Sequence, residues 1–145
     1  MKWQYDDGGV KKSKRPHTTK GCVVRAMAIV WQQPYDVFYE EVAILGRTCG
    51  RGSYDREFHP LLDQHAVRLP LFGAWSLASF QIAHDIGRYF VVRYGHAIAL
   101  VDGVWHDVAQ DRPDHVVTHA WRIEKPWTQP MREARTIKRL VNKYQ

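Results

Sequence analysis

The sequence predicts an α+β fold in which helices come first, one of them a central helix bearing Cys22, and pack on an antiparallel sheet formed by the C-terminal half. Two observations carry this expectation. Apolar residues fill residues 22–45 and 77–83 with helical spacing or nearly all round, whereas residues 89–108 and 116–123 are short β-branched and aromatic runs broken by turn residues. A third bears on size: 145 residues at 45% hydrophobic content make one domain that can bury a core without disulfides or metals.

Residues 1–19 read as an irregular basic arm, because Gly8-Gly9, the cluster Lys11-Lys12-Ser13-Lys14-Arg15 and Pro16 offer no periodicity. Thr18 or Thr19 is then the expected cap of a helix with the body CVVRAMAIVWQ, apolar all round apart from Arg25, as a buried helix should be. Cys22 falls in its first turn, where free N–H groups and the positive end of the helix dipole stabilise a thiolate. Pro34 opens a second helix, PYDVFYEEVAIL, which Gly46 ends. The loop GRTCGRGS lacks a Walker-type lysine and is not read as a phosphate cradle. A short helix is expected within Tyr54–Ala66, interrupted near Pro60. Ser76 suits the cap of a last core helix, SLASFQIAHD.

Three strands come next, Tyr89 to Arg93, His96 to Val101 and Val104 to Val108, separated by Tyr94-Gly95 and Asp102-Gly103. Asp-Gly between apolar runs favours a two-residue type I′ hairpin, since both central positions need positive φ. That turn pairs Val101 with Val104, Leu100 with Trp105 and Ile98 with Asp107. Side chains alternate faces, so His96, Ile98 and Leu100 share one with Trp105 and Asp107, and an imidazole comes to lie diagonally from a carboxylate. A fourth strand is expected over 116–123, and a terminal helix over Met131–Tyr144 beyond Pro126 and Pro130.

The net charge of +6 is concentrated at the ends: residues 1–20 carry six Lys/Arg against two acids, 122–145 seven against two, and the middle eight against eleven. This divides the chain into a basic arm over 1–19, a domain over 20–124 and a basic C-terminal helix extension over 125–145. The apolar face of that helix, Ala134, Ile137, Leu140, Val141 and Tyr144, favours a protein partner or docking on its own domain over nucleic acid. The start MKWQYDDGG has no apolar segment of signal-peptide length, and no run approaches the roughly 20 residues of a membrane span. A soluble, cytoplasmic or virion-internal protein with no membrane partner is therefore expected. Two cysteines, Cys22 and Cys49, are too few for a disulfide framework.

GCVVRAMAI, followed by PYDVFYEEV and, near the far end, by GRYFVVRYGHAIALVDGVWHD, resembles the papain-like cysteine peptidase superfamily over roughly residues 20–108. Within it the likeness is to small bacterial and phage-encoded domains related to leader-peptide-cleaving peptidases. The resemblance implies a papain-like α+β domain and a cysteine-dependent peptidase or amidase-like hydrolase acting on a peptide or protein. Residue by residue it implies Cys22 as nucleophile, His96 as its base and Asp107 as the acid orienting the imidazole, with no cofactor and no metal. The chemistry needs these types: a free thiol is mostly protonated at neutral pH, an imidazole takes its proton, and a carboxylate fixes the tautomer and stabilises the imidazolium.

Other readings stand beside these. A cysteine in an apolar helix is often a small core residue, a strand histidine can simply donate to a carbonyl, and Asp107 can cap a strand end. Asp102 is a turn residue, and His106 faces away from His96. His84, His96, His106, His115 and His119 show no zinc-ligand spacing. Members of the family complete the oxyanion hole with a glutamine a few residues before the nucleophile, beside the backbone N–H of the cysteine itself. Here the preceding stretch is KRPHTTKG and the nearest upstream glutamine is Gln4, which leaves Cys22 with donors from His17, Thr18 or Thr19. The departure keeps open a second function, an inactive papain-like scaffold acting as a phage structural or host-interacting binding protein.

Overall fold

The computed structural model describes residues 1–13, 21–44 and 55–128. Their order is β1 (Trp3–Tyr5), a 3-10 turn (Val10–Lys12), α1 (Cys22–Trp31), α2 (Tyr35–Ile44), α3 (Asp55–His65), β2 (Val67–Arg68), α4 (Leu77–Ala83), β3 (Arg88–Arg93), β4 (His96–Val101), β5 (Val104–Asp107) and β6 (Val117–Ile123). Six strands form one sheet in the order β1-β5-β4-β3-β6-β2. The fold is thus α+β, with helices ahead of most of the sheet.

Both sheet faces are covered, and alternation along the strands divides the core in two. Phe90 and Val92 of β3, Ala97 and Ala99 of β4 and Trp121 of β6 share one cluster with Val24, Met27, Phe38, Phe58 and Leu62 of α1, α2 and α3. Tyr89, Val91, Ile98, Leu100 and Trp105 point the other way, onto Leu77 and Phe80 of α4. The small Ala97 and Ala99 let α1 lie close on β4. Full burial of each large apolar side chain is worth about 1.5–3 kcal/mol, so the two clusters supply most of the driving force. α4 is fixed at its start by a capping box, Ser76 accepting from the Ser79 N–H and Ser79 from that of Ser76. Near its end, the Gln81 side-chain amide donates to the carbonyls of Lys2 and Gly103.

The β4–β5 turn has the expected geometry, with φ of 46° at Asp102 and 77° at Gly103. Val101 lies opposite Val104 and Leu100 opposite Trp105, as the hairpin predicts. Asp102 acts as a turn residue that also grips the α4–β3 connection: its N–H donates to the Gly87 carbonyl and its carboxylate accepts from the Gly87 N–H.

Several expectations need correction. The sheet is mixed rather than antiparallel, because Trp3–Tyr5 pairs parallel with β5 instead of lying in an irregular arm. The segment after β1 is packed too: a Cβ on Gly8, whose φ is +65°, would stand 2.9 Å from the Arg25 backbone. α1 is capped by Gly21 rather than by a threonine, and a glycine supplies no side-chain cap. α3 runs through Pro60 without interruption, its flanks Phe58, Leu61 and Leu62 buried firmly enough to outweigh the roughly 3 kcal/mol that an interior proline costs. The expected helix over Met131–Tyr144, with the docking face it would present, lies outside the described residues, as do Cys49, His17, Thr18 and Thr19. Among the described residues no helix is long and apolar enough to cross a membrane.

Candidate active site

Three element ends meet at one end of the sheet. Cys22 is the first residue of α1, His96 the first of β4 and Asp107 the last of β5. α1 lies along β4, which brings its N-terminus over the start of that strand, while the tight hairpin aligns the end of β5 beside it. Partner selection by the sheet register therefore places residues 22, 96 and 107 together.

The imidazole bridges the other two. His96 Nε2 lies 2.6 Å from Asp107 Oδ2, and the Cys22 thiol stands close enough to the ring for each to shift the other's titration. Since Nε2 is held by the carboxylate, Nδ1 is the atom left to the sulfur. Asp107 is held in turn, its Oδ1 accepting the Val108 N–H at 2.7 Å. The carboxylate is 5% exposed and the imidazole 19%, so the pair is screened from water while the ring edge stays reachable.

Electrostatics match this geometry. Burial pushes the Cys22 thiol up, but the His96 hydrogen bond, the Ala97 N–H and the charges of His96 and Arg25 outweigh it, leaving the thiol below its ordinary value. Burial likewise opposes charging of His96, yet hydrogen bonds to Asp107 and Cys22 raise it to about 9. For Asp107 burial again raises, and His96, the nearby Asp111 and the Val108 N–H bring it lower overall. The start of α1 adds its dipole to the thiolate side. The arrangement can therefore hold a thiolate–imidazolium pair against a fixed carboxylate, the state in which sulfur is nucleophilic at neutral pH.

Of the remaining sequence candidates, His115 lies 3.8 Å from Asp111 at the edge of this centre, and His84, His106 and His119 lie apart from it. His106 points away from His96 and pairs with Asp6 at 3.0 Å, which fastens β1 to β5. His84 stacks on Phe80, and His119 lies beside His59 and Trp121. Sequence reasoning missed Asp111, which sits beside the triad in the loop after β5. It receives Arg93 Nε at 2.7 Å and lies 4.0 Å from His96 Nε2. One donor atom each from His96, Asp107 and Asp111 falls within 4.8 Å of the others. The imidazole and the Asp107 carboxylate already bond one another, so the cluster is a hydrogen-bonded array. An acid in the stretch QDRPDH looks like loop solvation in the sequence, and only the fold of the loop brings it inward.

No family model, curated protein or solved structure matches this chain.

Proposed function

We propose that this chain is a cysteine-dependent hydrolase of papain-like architecture that cleaves a peptide or related amide bond. The carrying observation is the 2.6 Å contact between the His96 imidazole and the Asp107 carboxylate, with the Cys22 thiol at the start of α1 electrostatically coupled to the same ring. Cys22 Sγ adds to the carbonyl carbon, the C–N bond breaks as the His96 imidazolium gives its proton to the leaving amine, and a thioester remains. Neutral His96 then takes a proton from water, whose oxygen attacks the thioester, and the acid product leaves as Cys22 regains the pair. Asp107 keeps the ring oriented and stabilises its charged form. The Cys22 N–H, at a helix start whose N-cap residue is a glycine, is a donor for the developing oxyanion. The chemistry requires a reducing compartment, since Cys22 must remain a thiol, and fits the cytoplasm of a cell or the interior of a virion.

The test is turnover of peptide and isopeptide amides, with trapping of the acyl-enzyme on Cys22 by mass spectrometry. Turnover that Cys22→Ser or His96→Ala abolishes supports the reading; turnover unaffected by either change refutes it. One observation favours a second reading, a papain-like scaffold kept for binding: residues 14–21, KRPHTTKG, contain no glutamine to complete an oxyanion hole. Loss of one such donor costs about 100- to 1,000-fold in turnover. A thiolate that alkylates readily while no amide is cleaved would favour the scaffold.

A further inference from the structure

The β3–β4 register sets a cation directly opposite His96. Arg93, the last residue of β3, is the cross-strand partner of His96, the first of β4, so the two side chains leave the same face of the sheet. β3 shifts register against β6 between Val92 and Arg93, an irregularity of the kind that re-aims a side chain. Like charges facing one another across strands repel, and the thiol chemistry needs His96 as an imidazolium. One carboxylate stands between the two. Asp111, its side chain 8% exposed, accepts Arg93 Nε on Oδ1 at 2.7 Å, the geometry of an ion pair between a guanidinium and an ionised carboxylate. Its Oδ2 accepts from no donor among the described residues and faces His96 Nε2 at 4.0 Å. The other titratable groups around the pair are Asp107 of β5, 2.6 Å from the ring, Cys22 of α1, and His115, 3.8 Å from Asp111 Oδ1.

We propose that Asp111 is a positioning residue that serves His96 as a second, ionised acid: Arg93 fixes Oδ1, while Oδ2 backs the imidazolium beside Asp107 and takes the Nε2 proton's hydrogen bond when Asp107 cannot accept it. This rests on the hydrolase reading of Cys22, His96 and Asp107 and extends it by one residue. From 4.0 Å, Oδ2 has to advance only about 1.2 Å to reach hydrogen-bond distance, a shift that rotation about the aspartate's own side-chain bonds supplies. The loop that carries it is braced, since the carbonyls of Pro113 and His115 accept the N–H groups of Ala78 and Leu77 at the start of α4, and Val116 bridges to Ser76. Arg93 in turn makes the second carboxylate tolerable. A thiolate, two carboxylates, an imidazolium and a guanidinium together carry a single net negative charge. Without Arg93 the same groups would carry two, and burial would drive a proton onto one of the acids.

The experiment measures the His96 midpoint by imidazole ¹⁵N titration in the wild type, Asp111→Asn, Asp107→Ala and the double variant. Asparagine still accepts Arg93 Nε through its amide oxygen, so the loop stays tied while the charge is lost. In the wild-type background Asp111→Asn should weaken proton binding by His96 about tenfold, the low end of what an opposite charge within about 4–6 Å contributes. In the Asp107→Ala background, where Asp111 is the carboxylate left beside the ring, the same change should weaken it about 100-fold, and iodoacetamide labelling of Cys22 at pH 6 should slow in step. A purely structural tie between Arg93 and the loop would lower Tm and leave the midpoint in place. If Asp111→Asn leaves the midpoint unmoved, or moves it equally in both backgrounds, the proposal falls. Should the Asp107→Ala chains not fold, the wild type and Asp111→Asn decide the matter: the carboxyl ¹³C signal that Asp111→Asn removes should be that of an ionised acid at pH 7 and the midpoint should drop, whereas a protonated signal or an unmoved midpoint overturns the proposal. Failure of the hydrolase reading shows elsewhere, in Cys22 labelling that His96→Ala leaves unchanged, while the His96 midpoint reads Asp111 directly.

Discussion

Asp107→Asn isolates the charge of the triad acid from its shape. The amide oxygen can still accept the His96 Nε2 proton, so the ring stays oriented while its counter-charge is removed. In the folded protein His96 rises from 6.5 to about 9, a difference worth about 3 kcal/mol in favour of the imidazolium. Burial opposes that rise, and Asp107 is the first of the groups that produce it, ahead of Cys22. Assigning Asp107 half or more of the effect predicts that Asp107→Asn lowers the His96 midpoint by more than about one pH unit and costs about 1.5–2 kcal/mol of stability at pH 6. The sign comes from linkage. A histidine raised on folding stabilises fully below its unfolded value of 6.5, and the contribution fades as pH rises through about 9. A carboxylate lowered on folding stabilises above its ordinary 3.8 and loses the contribution as pH falls through its folded value. The gap between wild type and variant should therefore be widest between about pH 4 and 6.5 and narrow toward pH 9. Imidazole ¹⁵N titration, assigned by the signal that His96→Gln removes, and urea unfolding at several pH values measure both quantities. A midpoint unmoved in the variant, or a stability gap independent of pH, would refute the reasoning.

Other changes should behave in characteristic ways. Asp102→Asn should leave unfolding and Cys22 labelling nearly unchanged, because asparagine also tolerates positive φ and its carbonyl can accept the Gly87 N–H. Gly8→Ala, at φ +65° and with its Cβ only 2.9 Å from the Arg25 backbone, should cost about 2 kcal/mol or more in urea unfolding. Ser76→Ala removes the cap of α4 and should cost about 1 kcal/mol by thermal unfolding, with no change in labelling rate.

How much of the fold and site was legible depends on the range of the signals. The β4–β5 hairpin was readable because its register is set locally: Asp102-Gly103 fixes the turn, and alternation then carries His96 and Asp107 onto one face. The helix at Cys22 was readable from its unbroken apolar body, although its cap lay at Gly21 rather than at a threonine. β1 was not, because three residues carry no periodicity and their pairing with β5 spans the length of the domain. The same distance hid the Asp6–His106 pair, separated by 100 residues. β2, of two residues, is defined by its partner β6 rather than by its own composition. Pro60 signalled a break that burial of Phe58, Leu61 and Leu62 overrode. Asp111 escaped notice because nothing in QDRPDH separates an inward acid from a solvated one, and Arg93 finds it only after β3 and the loop have folded.

The most direct measurement of the central claim is the rate of Cys22 alkylation against pH in wild type and His96→Ala, read by peptide mass spectrometry with Cys49 as the internal reference. Wild-type Cys22 should react faster than Cys49 at pH 6 and retain much of its rate there, since His96 holds the thiol below its ordinary value. Without the imidazole, burial is opposed by the Ala97 N–H, Arg25 and the start of α1 but no longer by His96, so Cys22 should slow at least about tenfold at pH 6 and recover only as the solution becomes alkaline. Superimposable pH curves for the two proteins, or equal labelling of Cys22 and Cys49 in folded wild type, would contradict the claim that Cys22 is an activated nucleophile.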